Sequence, residues 1–405
     1  MIKEIIHKIL KHRHPWRDID FNELSEIYVT MMLRSMAISM TGIFVPIYLY
    51  KLSFSVTAIF GVFAMYFTSR IVLDFAAAYT TARIGPKHTL VIGQFLQIVT
   101  SALFLTLPWT HLPVYIIGAV WGSSASFFFI PFHIDFSKVK HKNHGGKEIG
   151  FEQIMEKVGF VLGPLAGGLV ATLVGSRYIF LVSIFLLIGG LWPLFRTKEP
   201  VRLKQKLDFK NFHIDNIKAY IPSYIGLNVE NTICLMLWPY FLAVFVIPGQ
   251  SVFVKVGLIS SISVIASIFA AQAVGRTVDD KKGRSLLRYS ALANAIIHLF
   301  RPFVTLYPVA FIINIFNEVV TIGYRLPFTK GMYDAADDLP GYRIVFITIM
   351  EVIGCMAKAS VWWVLVLIST VLTGKILFFI GFYVAAVASV LITTEKFKSL
   401  AKVGA

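Results

Sequence analysis

The chain has 405 residues, of which 57% are hydrophobic and only 15% are charged, and its mean hydropathy is +0.72. Soluble globular domains carry about 25% charged residues, so this composition excludes a soluble enzyme, a disordered chain and a fibrous repeat. The net charge of +16 would suit a nucleic-acid partner, an acidic lipid surface or a topology signal of a membrane protein. The positions of the charges distinguish these three.

A helix needs about 20 mostly apolar residues to cross the hydrocarbon core of a bilayer. The sequence contains twelve such segments, and short connections between several of them indicate hairpinned neighbours. We therefore predict an all-α, polytopic membrane protein with twelve transmembrane helices. The predicted spans are residues 27–50, 54–79, 89–107, 112–133, 152–174, 177–195, 216–246, 251–274, 287–305, 307–328, 343–367 and 375–394.

The segment before the first span, residues 1–26, is rich in basic and apolar residues. Ile2, Ile5 and Ile9 share one helical face and have lysines beside them, a pattern typical of a helix that lies on a membrane surface. An ordinary short helix packed on the cytoplasmic face fits the pattern equally well.

The basic residues are distributed unevenly over the predicted loops. Of the 38 Lys and Arg, 27 lie on the side of the N-terminus, 4 lie on the opposite side, and 7 lie inside or at the ends of spans. Because cytoplasmic loops carry the excess of basic residues, we predict a multi-pass protein of the cell membrane with both termini in the cytoplasm. The charge is thus a topology signal, and we expect no nucleic-acid partner.

The two halves of the chain repeat one pattern. The segment 151–159 opens the fifth span, the segment 346–354 opens the eleventh, and both read F-x-x-I-M-E-x-x-G. The pairs Pro131-Phe132 and Pro327-Phe328 keep nearly the same spacing. The repeat predicts an N-terminal six-helix bundle and a C-terminal six-helix bundle of parallel orientation. The predicted divisions are bundles at 27–195 and 216–394, a basic cytoplasmic linker at 196–215, and a cytoplasmic tail at 395–405.

One motif lies in a loop and occurs twice. The loop after the eighth span reads Gly275-Arg-Thr-Val-Asp-Asp280-Lys-Lys-Gly283-Arg284, and the loop after the second span keeps Gly85 but has Ala82 where the acid belongs. With the span count and the half repeat, these loops resemble the G-x-x-x-D-[RK]-x-G-[RK] signature of the major facilitator superfamily. The resemblance covers 27–394 and implies two pseudo-symmetric bundles around a central cavity. It also implies gating roles for Asp280, Gly283, Arg284 and Gly85.

The second motif lies in the fifth span. Gly150, Gly159, Gly163-Pro164 and Gly167-Gly168 match the antiporter motif of drug–proton exporters of the same superfamily. Glycines every four residues form one smooth stripe, which lets a neighbouring helix approach closely. The resemblance implies that this helix bends and seals one side of the pathway, although close packing alone explains the stripe as well.

Ionisable groups inside spans are costly in a membrane and are candidates for function. We expect Glu230 and Glu318 to carry the coupling proton, because burial disfavours a charged carboxylate. The alternative is a structural bridge from these acids to Arg34, Arg70 or Lys358. The amides beside the acids are candidate hydrogen-bond partners of a substrate: Asn228, Asn231, Asn314 and Asn317.

The remaining charged residues of the spans are assigned to pairing and gating. Arg34 and Lys358 are candidate counter-ions for buried acids or for an anionic group of the substrate. Arg70 and Asp74 are four residues apart, so they can pair on one helical face. Glu156 and Glu351 occupy equivalent positions of the repeat, for which we predict a gating or interface role.

The sequence shows no nucleotide-binding loop and no His or Cys spacing typical of a metal site. We therefore predict a secondary transporter without cofactor or metal, in which the proton is the coupling ion. The favoured hypothesis is proton-coupled export of a small organic molecule by a monomer embedded in a lipid bilayer. The alternative is uptake or facilitated transport of a sugar, metabolite or lipid, and the remote alternative is a membrane sensor or enzyme that does not transport.

Overall fold

The computed structural model describes residues 23–110, 112–139, 145–195, 207–249, 251–277, 283–337, 339 and 342–400. Within these ranges the chain forms twelve helical spans and no strand. The helices are α1 (Glu23–Gly42 and Val45–Lys51), α2 (Val56–Ile84), α3 (Pro86–Thr106), α4 (Val114–Val139), α5 (Gly145–Leu173), α6 (Tyr178–Leu194), α7 (Ile221–Val246), α8 (Val252–Thr277), α9 (Gly283–Phe300), α10 (Tyr307–Asp337), α11 (Arg343–Ser369) and α12 (Lys375–Ile392).

Ten of the described helices are long and apolar enough to cross a membrane. The two others are α6, which has 17 residues, and α9, which has 18 residues but a more polar sequence. The polar residues of α9 include Asn294 and His298, and both are fully buried in the protein. The predicted twelve-helix all-α architecture is confirmed.

Two helices change their backbone pitch at prolines. α1 is interrupted at Ile43-Phe44 and restarts before Pro46, because proline lacks the N–H that would continue the ladder of hydrogen bonds. In α7, Pro239 lies between two π-helical turns, Ile233–Leu237 and Leu242–Val246. Pro239 therefore lies in a widened part of α7 that remains helical.

The helices pack in two equivalent sets. In the first half α2 packs on α4 and α1 on α5, and in the second half α8 packs on α10 and α7 on α11. Two long interfaces join the halves, one between α2 and α11 and the other between α5 and α8.

Two faces of helix α5 contact two different helices, α1 and α8. A Cβ added at Gly159 would come 2.6 Å from the Met32 carbonyl oxygen, so the glycine stripe holds α5 directly against the backbone of α1. On another face, Ser261 Oγ of α8 donates a hydrogen bond of 2.6 Å to the Val161 carbonyl oxygen. A Cβ at Gly168 would likewise come 2.6 Å from the Phe253 carbonyl oxygen of α8. The motif helix is thus wedged between its own half and the other half.

The halves meet closely at the end of the bundle where α1 joins α2. The ring centroids of Tyr50 and Tyr240 are 5.7 Å apart, and those of Phe60 and Trp362 are 5.3 Å apart. Both pairs connect the first half to the second, and all but Tyr50 are buried. This aromatic contact closes the space between the halves at this end.

The segment after α12 folds back onto its own half. Arg284 Nε at the start of α9 donates to Glu395 Oε1 at 2.7 Å, and Arg284 Nη2 donates to the Phe397 carbonyl oxygen at 2.8 Å. Arg284 therefore pairs within the second half. Asp280, the first 22 residues, the linker residues 196–206 and the last five residues lie outside the described residues. At Gly85, the backbone has φ of +95° between α2 and α3, which favours glycine.

Candidate functional site

The core of the second half contains a buried carboxylate. Glu230 of α7 is 2% exposed and accepts hydrogen bonds from Asn294 Nδ2 at 2.9 Å and from Tyr324 Oη at 2.8 Å. His298 Nε2 lies 3.1 Å from Glu230 Oε1. Three helices, α7, α9 and α10, thus supply one satisfied cluster, which stabilises the charge that a bilayer interior would otherwise disfavour.

The geometry defines the tautomer of His298. Arg301 Nη1 lies 3.3 Å from His298 Nδ1, and because a guanidinium only donates, Nδ1 accepts. The proton of the neutral imidazole is then on Nε2, which donates to Glu230. Arg301 also stacks over the ring of Trp238, with Cζ 4.7 Å from the centroid. Arg301, His298 and Glu230 therefore form a continuous chain of polar groups.

The amides around Glu230 are occupied by protein partners. Asn317 Nδ2 donates to Asn294 Oδ1 at 2.7 Å, and Asn314 Oδ1 accepts from Trp238 Nε1 at 2.9 Å. Asn228 Nδ2 donates to the Tyr224 carbonyl oxygen at 2.9 Å. The contacts of Asn317 and Asn314 join helices of the second half, whereas that of Asn228 lies within α7.

The core of the first half contains a buried cation. Arg34 of α1 is 1% exposed, and its Nη1 donates to Gln94 Oε1 of α3 at 2.7 Å. Its guanidinium lies 3.6 Å from the centroid of Phe128 of α4. Gln94 Nε2 in turn donates to the Leu187 carbonyl oxygen of α6 at 3.0 Å. Among the described side chains no carboxylate pairs with Arg34.

A second charged cluster joins the halves between α2 and α11. Arg70 Nη2 lies 3.0 Å from Glu351 Oε2 and 3.5 Å from Asp74 Oδ2. Tyr224 Oη of α7 donates to the other carboxylate oxygen of Glu351 at 2.8 Å. Lys358 Nζ lies 5.0 Å from the ring centroid of Phe67. Arg70 thus bridges two acids that belong to different halves.

The same cluster contains the described group closest to a metal-ligand set. Ligand atoms of Asp74, Glu351 and Cys355 lie within 4.8 Å of one another. Arg70 contacts both carboxylates, so a cation of the protein already compensates part of their charge.

A third group of charges lies between α5 and α10. Glu318 of α10 is partly exposed, and Lys157 of α5 and Arg325 of α10 are its main cationic neighbours. Glu156 of α5 lies near Arg325 and Lys157. No N–O distance of 4.0 Å or less joins these four described side chains. Lys157 Nζ donates to Ser267 Oγ of α8 at 3.1 Å, which fixes the amine at the interface of the halves.

The structure separates the two candidate proton carriers. Glu230 is enclosed by hydrogen bonds, whereas Glu318 makes none to the described residues. Neither acid forms the bridge to Arg34, Arg70 or Lys358 that the sequence left open. The substrate candidates Asn228, Asn314 and Asn317 are bound within the protein, and Asn231 is half-buried with no such contact.

The sequence interpretation missed three residues of the buried cluster. Asn294, His298 and Arg301 follow one another at spacings of four and three, which places them on one face of α9 and the turn after it. This periodic polar face was the available signal. None of the three residues, taken alone, indicates such a face.

Comparison with known proteins assigns the family. The sequence profile described as Major Facilitator Superfamily matches residues 27–397. The chain belongs to the Major Facilitator Superfamily. This superfamily member is a polytopic membrane transporter and not an enzyme, and the family resemblance predicted from the motifs is confirmed. A curated relative, the Multidrug resistance protein 1 of Bacillus subtilis (strain 168), is 24% identical over 210 residues. That match covers 50% of this chain and about half of the relative, 53% of its length.

Solved structures share the fold. A POT family transporter in complex with 5-aminolevulinic acid has a TM-score of 0.72 at 10% identity, covering 91% of this chain and 95% of that chain. A D-xylose-proton symporter has a TM-score of 0.70 at 14% identity, covering 93% and 97%. The nucleoside transporter NupG has a TM-score of 0.68 at 13% identity, covering 92% and 97%. At these identities the similarity establishes the fold alone.

Proposed function

We propose that this protein exports a small organic molecule in exchange for protons, and that Glu318 carries the coupling proton. An antiporter needs an acid that binds either a proton or the substrate while access alternates. Glu318 lies between the halves, is partly exposed and forms no hydrogen bond with the described residues. This unpaired acid is the observation that carries the proposal.

Glu230 has a different role in this proposal. Its carboxylate accepts from Asn294 and Tyr324 and lies beside His298 Nε2. Protonation would take acceptor capacity from a carboxylate to which Asn294 and Tyr324 both donate, which costs free energy. Glu230 therefore stays ionised and stabilises the second half during transport.

Export by antiport is supported by two further observations. The glycine stripe of the antiporter motif packs on the backbone of α1, while the same helix contacts α8 of the other half. Half of the chain is similar to a multidrug resistance protein. With the protein in the cell membrane and both termini in the cytoplasm, the aromatic contact of Tyr50 and Tyr240 lies on the outer side of the membrane. In that orientation this contact closes the outer side, and we take the transporting unit to be a monomer.

The direction of the pH gradient tests the proposal. A compound that raises the thermal stability of the purified protein is selected from a library, radiolabelled, and offered to vesicles containing the protein. An antiporter accumulates the compound in vesicles that are acidic inside. Accumulation only in vesicles that are alkaline inside would indicate symport and contradict export by exchange.

Two variants assign the proton carrier. We expect Glu318→Gln to abolish accumulation driven by the pH gradient while exchange of labelled for unlabelled compound continues. Glu230→Gln serves as the matched control, because it removes a buried acid of the same half and retains an acceptor oxygen. In this variant, accumulation driven by the pH gradient should persist. Gradient-driven accumulation that persists in Glu318→Gln would exclude Glu318 as the carrier.

A further inference from the structure

The charges between α5 and α10 form a site with both signs of charge. Glu156 and Lys157 belong to the first half, and Glu318 and Arg325 belong to the second. Three of the side chains are partly exposed and Arg325 is exposed. Each acid interacts electrostatically with both cations, yet no N–O distance of 4.0 Å or less joins any of the four side chains.

Unpaired charges between membrane helices are costly unless something balances them. Two other charged groups of the described spans are paired: Arg70 contacts two carboxylates, and Glu230 is surrounded by hydrogen-bond donors. The separated acids and cations of this group can therefore pair with a ligand that carries charged groups of its own.

The balance of the four charges restricts the class of ligand. With two cations and two acids the site is neutral overall, so it gives no net attraction to a ligand of one sign. A ligand with a single cationic group would satisfy one acid and leave Lys157 and Arg325 without an anion. A ligand with one cationic and one anionic group leaves the site neutral and can pair with both signs.

The positions of the side chains suit a compact ligand of that kind. Lys157 is the foremost cationic neighbour of Glu318, and Ser267 holds the lysine amine in place. Glu318 and Arg325 are seven residues apart on α10, about two helical turns along one face. Glu318 and Lys157 are each the foremost opposite charge acting on the other, and they belong to different halves.

We propose that the group of Glu156, Lys157, Glu318 and Arg325 binds a zwitterionic substrate. The substrate's amine contacts Glu318 and its carboxylate contacts Lys157, with Arg325 and Glu156 at the edge of the site. This inference rests on the proposed transport function and names its substrate class. Because the amine and the coupling proton both require Glu318, binding of one excludes the other.

A matched panel of compounds tests the proposal on the purified full-length protein. Phenylalanine, leucine and alanine are compared with the corresponding amines without the carboxylate and with the corresponding acids without the amine. The measurement is the rise in thermal midpoint with concentration, from which the Kd follows. We expect at least one amino acid to bind about tenfold more tightly than both of its analogues.

Variants of the site then separate recognition from simple destabilisation. In Lys157→Gln the amine analogue should have the lowest Kd of the three related compounds. In Glu318→Gln the acid analogue should have the lowest Kd. Lys255→Gln, which changes a lysine near Tyr307 outside the group, should keep the order of the unchanged protein. A general loss of stability would weaken all three members equally.

The proposal is overturned if no amino acid raises the thermal midpoint, if an amine alone binds as tightly as its amino acid, or if the variants keep the original order. Binding is measured here without a gradient. A failure of proton coupling in vesicles would therefore leave the order of the panel intact, and the two failures can be distinguished.

Discussion

Arg34 and Glu230 occupy equivalent positions in the two halves and carry opposite charges. They are 196 residues apart, the same spacing as Phe128 and Tyr324, which contact them. Each charge also contacts an amide on the third helix of its half. The repeat has thus preserved the position of a buried charge while its sign has changed.

The two charges differ in how they are balanced. Glu230 is connected through His298 to Arg301, so the second half contains its own counter-ion. Arg34 has a stacking aromatic ring and one amide, and no carboxylate among the described side chains. The first half therefore retains an unbalanced positive charge in its core.

Replacement of Glu230 should destabilise the protein strongly. Glu230→Ala removes the carboxylate that accepts from Asn294 and Tyr324 and lies beside His298, and removal of one member of a buried charged cluster costs about 3–5 kcal/mol. Arg34→Met should cost less, because it removes a charge that has no counter-ion. Unfolding in mixed micelles measures both free energies, and equal costs would contradict this account of the two cores.

Removal of Arg70 should cost more than removal of Glu351. Arg70→Gln removes the cation that contacts both Asp74 and Glu351 between the halves, with an expected loss of about 3–5 kcal/mol. In Glu351→Gln, Arg70 keeps its contact with Asp74 at 3.5 Å. The free energy of unfolding ranks the two variants, and the reverse ranking would show that Arg70 is not the bridging group.

The glycine stripe of α5 should not tolerate a methyl group. In Gly163→Ala the new Cβ would come 2.5 Å from the Met36 carbonyl oxygen, so α1 and α5 must separate. Such overpacking costs about 1–3 kcal/mol, and transport should slow because α5 also contacts α8. The control is Gly42→Ala, since nothing lies within 4 Å of that Cβ. Identical thermal midpoints for the two variants would refute the close approach.

The segment after α12 should contribute to the stability of the second half. Phe397 is 1% exposed, stacks on Tyr220 with centroids 4.8 Å apart, and contacts Phe328. Phe397→Ala should therefore lower the free energy of unfolding by about 3–5 kcal/mol. Lys396→Ala changes the exposed neighbour and should leave it nearly unchanged. A thermal midpoint unaffected by Phe397→Ala would show that the segment is detached.

The span pattern and the half repeat were readable from the sequence because both depend on local composition. Hydropathy located α2 and α11, and the spacing of Arg70 and Asp74 predicted their pairing on one face. The partner of Arg70 in the other half required the packing of distant helices. No local rule relates residue 70 to Glu351.

The buried cluster of the second half was predicted only in part. Glu230 and Asn317 were identified as candidates. Their partners lie on α9, a helix whose polar residues lower its hydropathy. Whether an acid in a span is satisfied or free depends on these partners. For this reason Glu230 and Glu318 could not be distinguished from the sequence, although only Glu230 accepts hydrogen bonds from the described residues.

The pH dependence of substrate binding tests the central claim, that the proton and the substrate compete for Glu318. Over pH of about 5 to 7 the charges of an amino acid ligand stay constant. The other ionisable groups acting on Glu318 are Lys157, Arg325, Glu230 and Arg301. In the unchanged protein the Kd should increase as the pH falls, because protonation removes the charge that binds the amine. In Glu318→Gln the Kd should be larger than in the unchanged protein and independent of pH over this range. The same pH dependence in both proteins would contradict the assignment of Glu318.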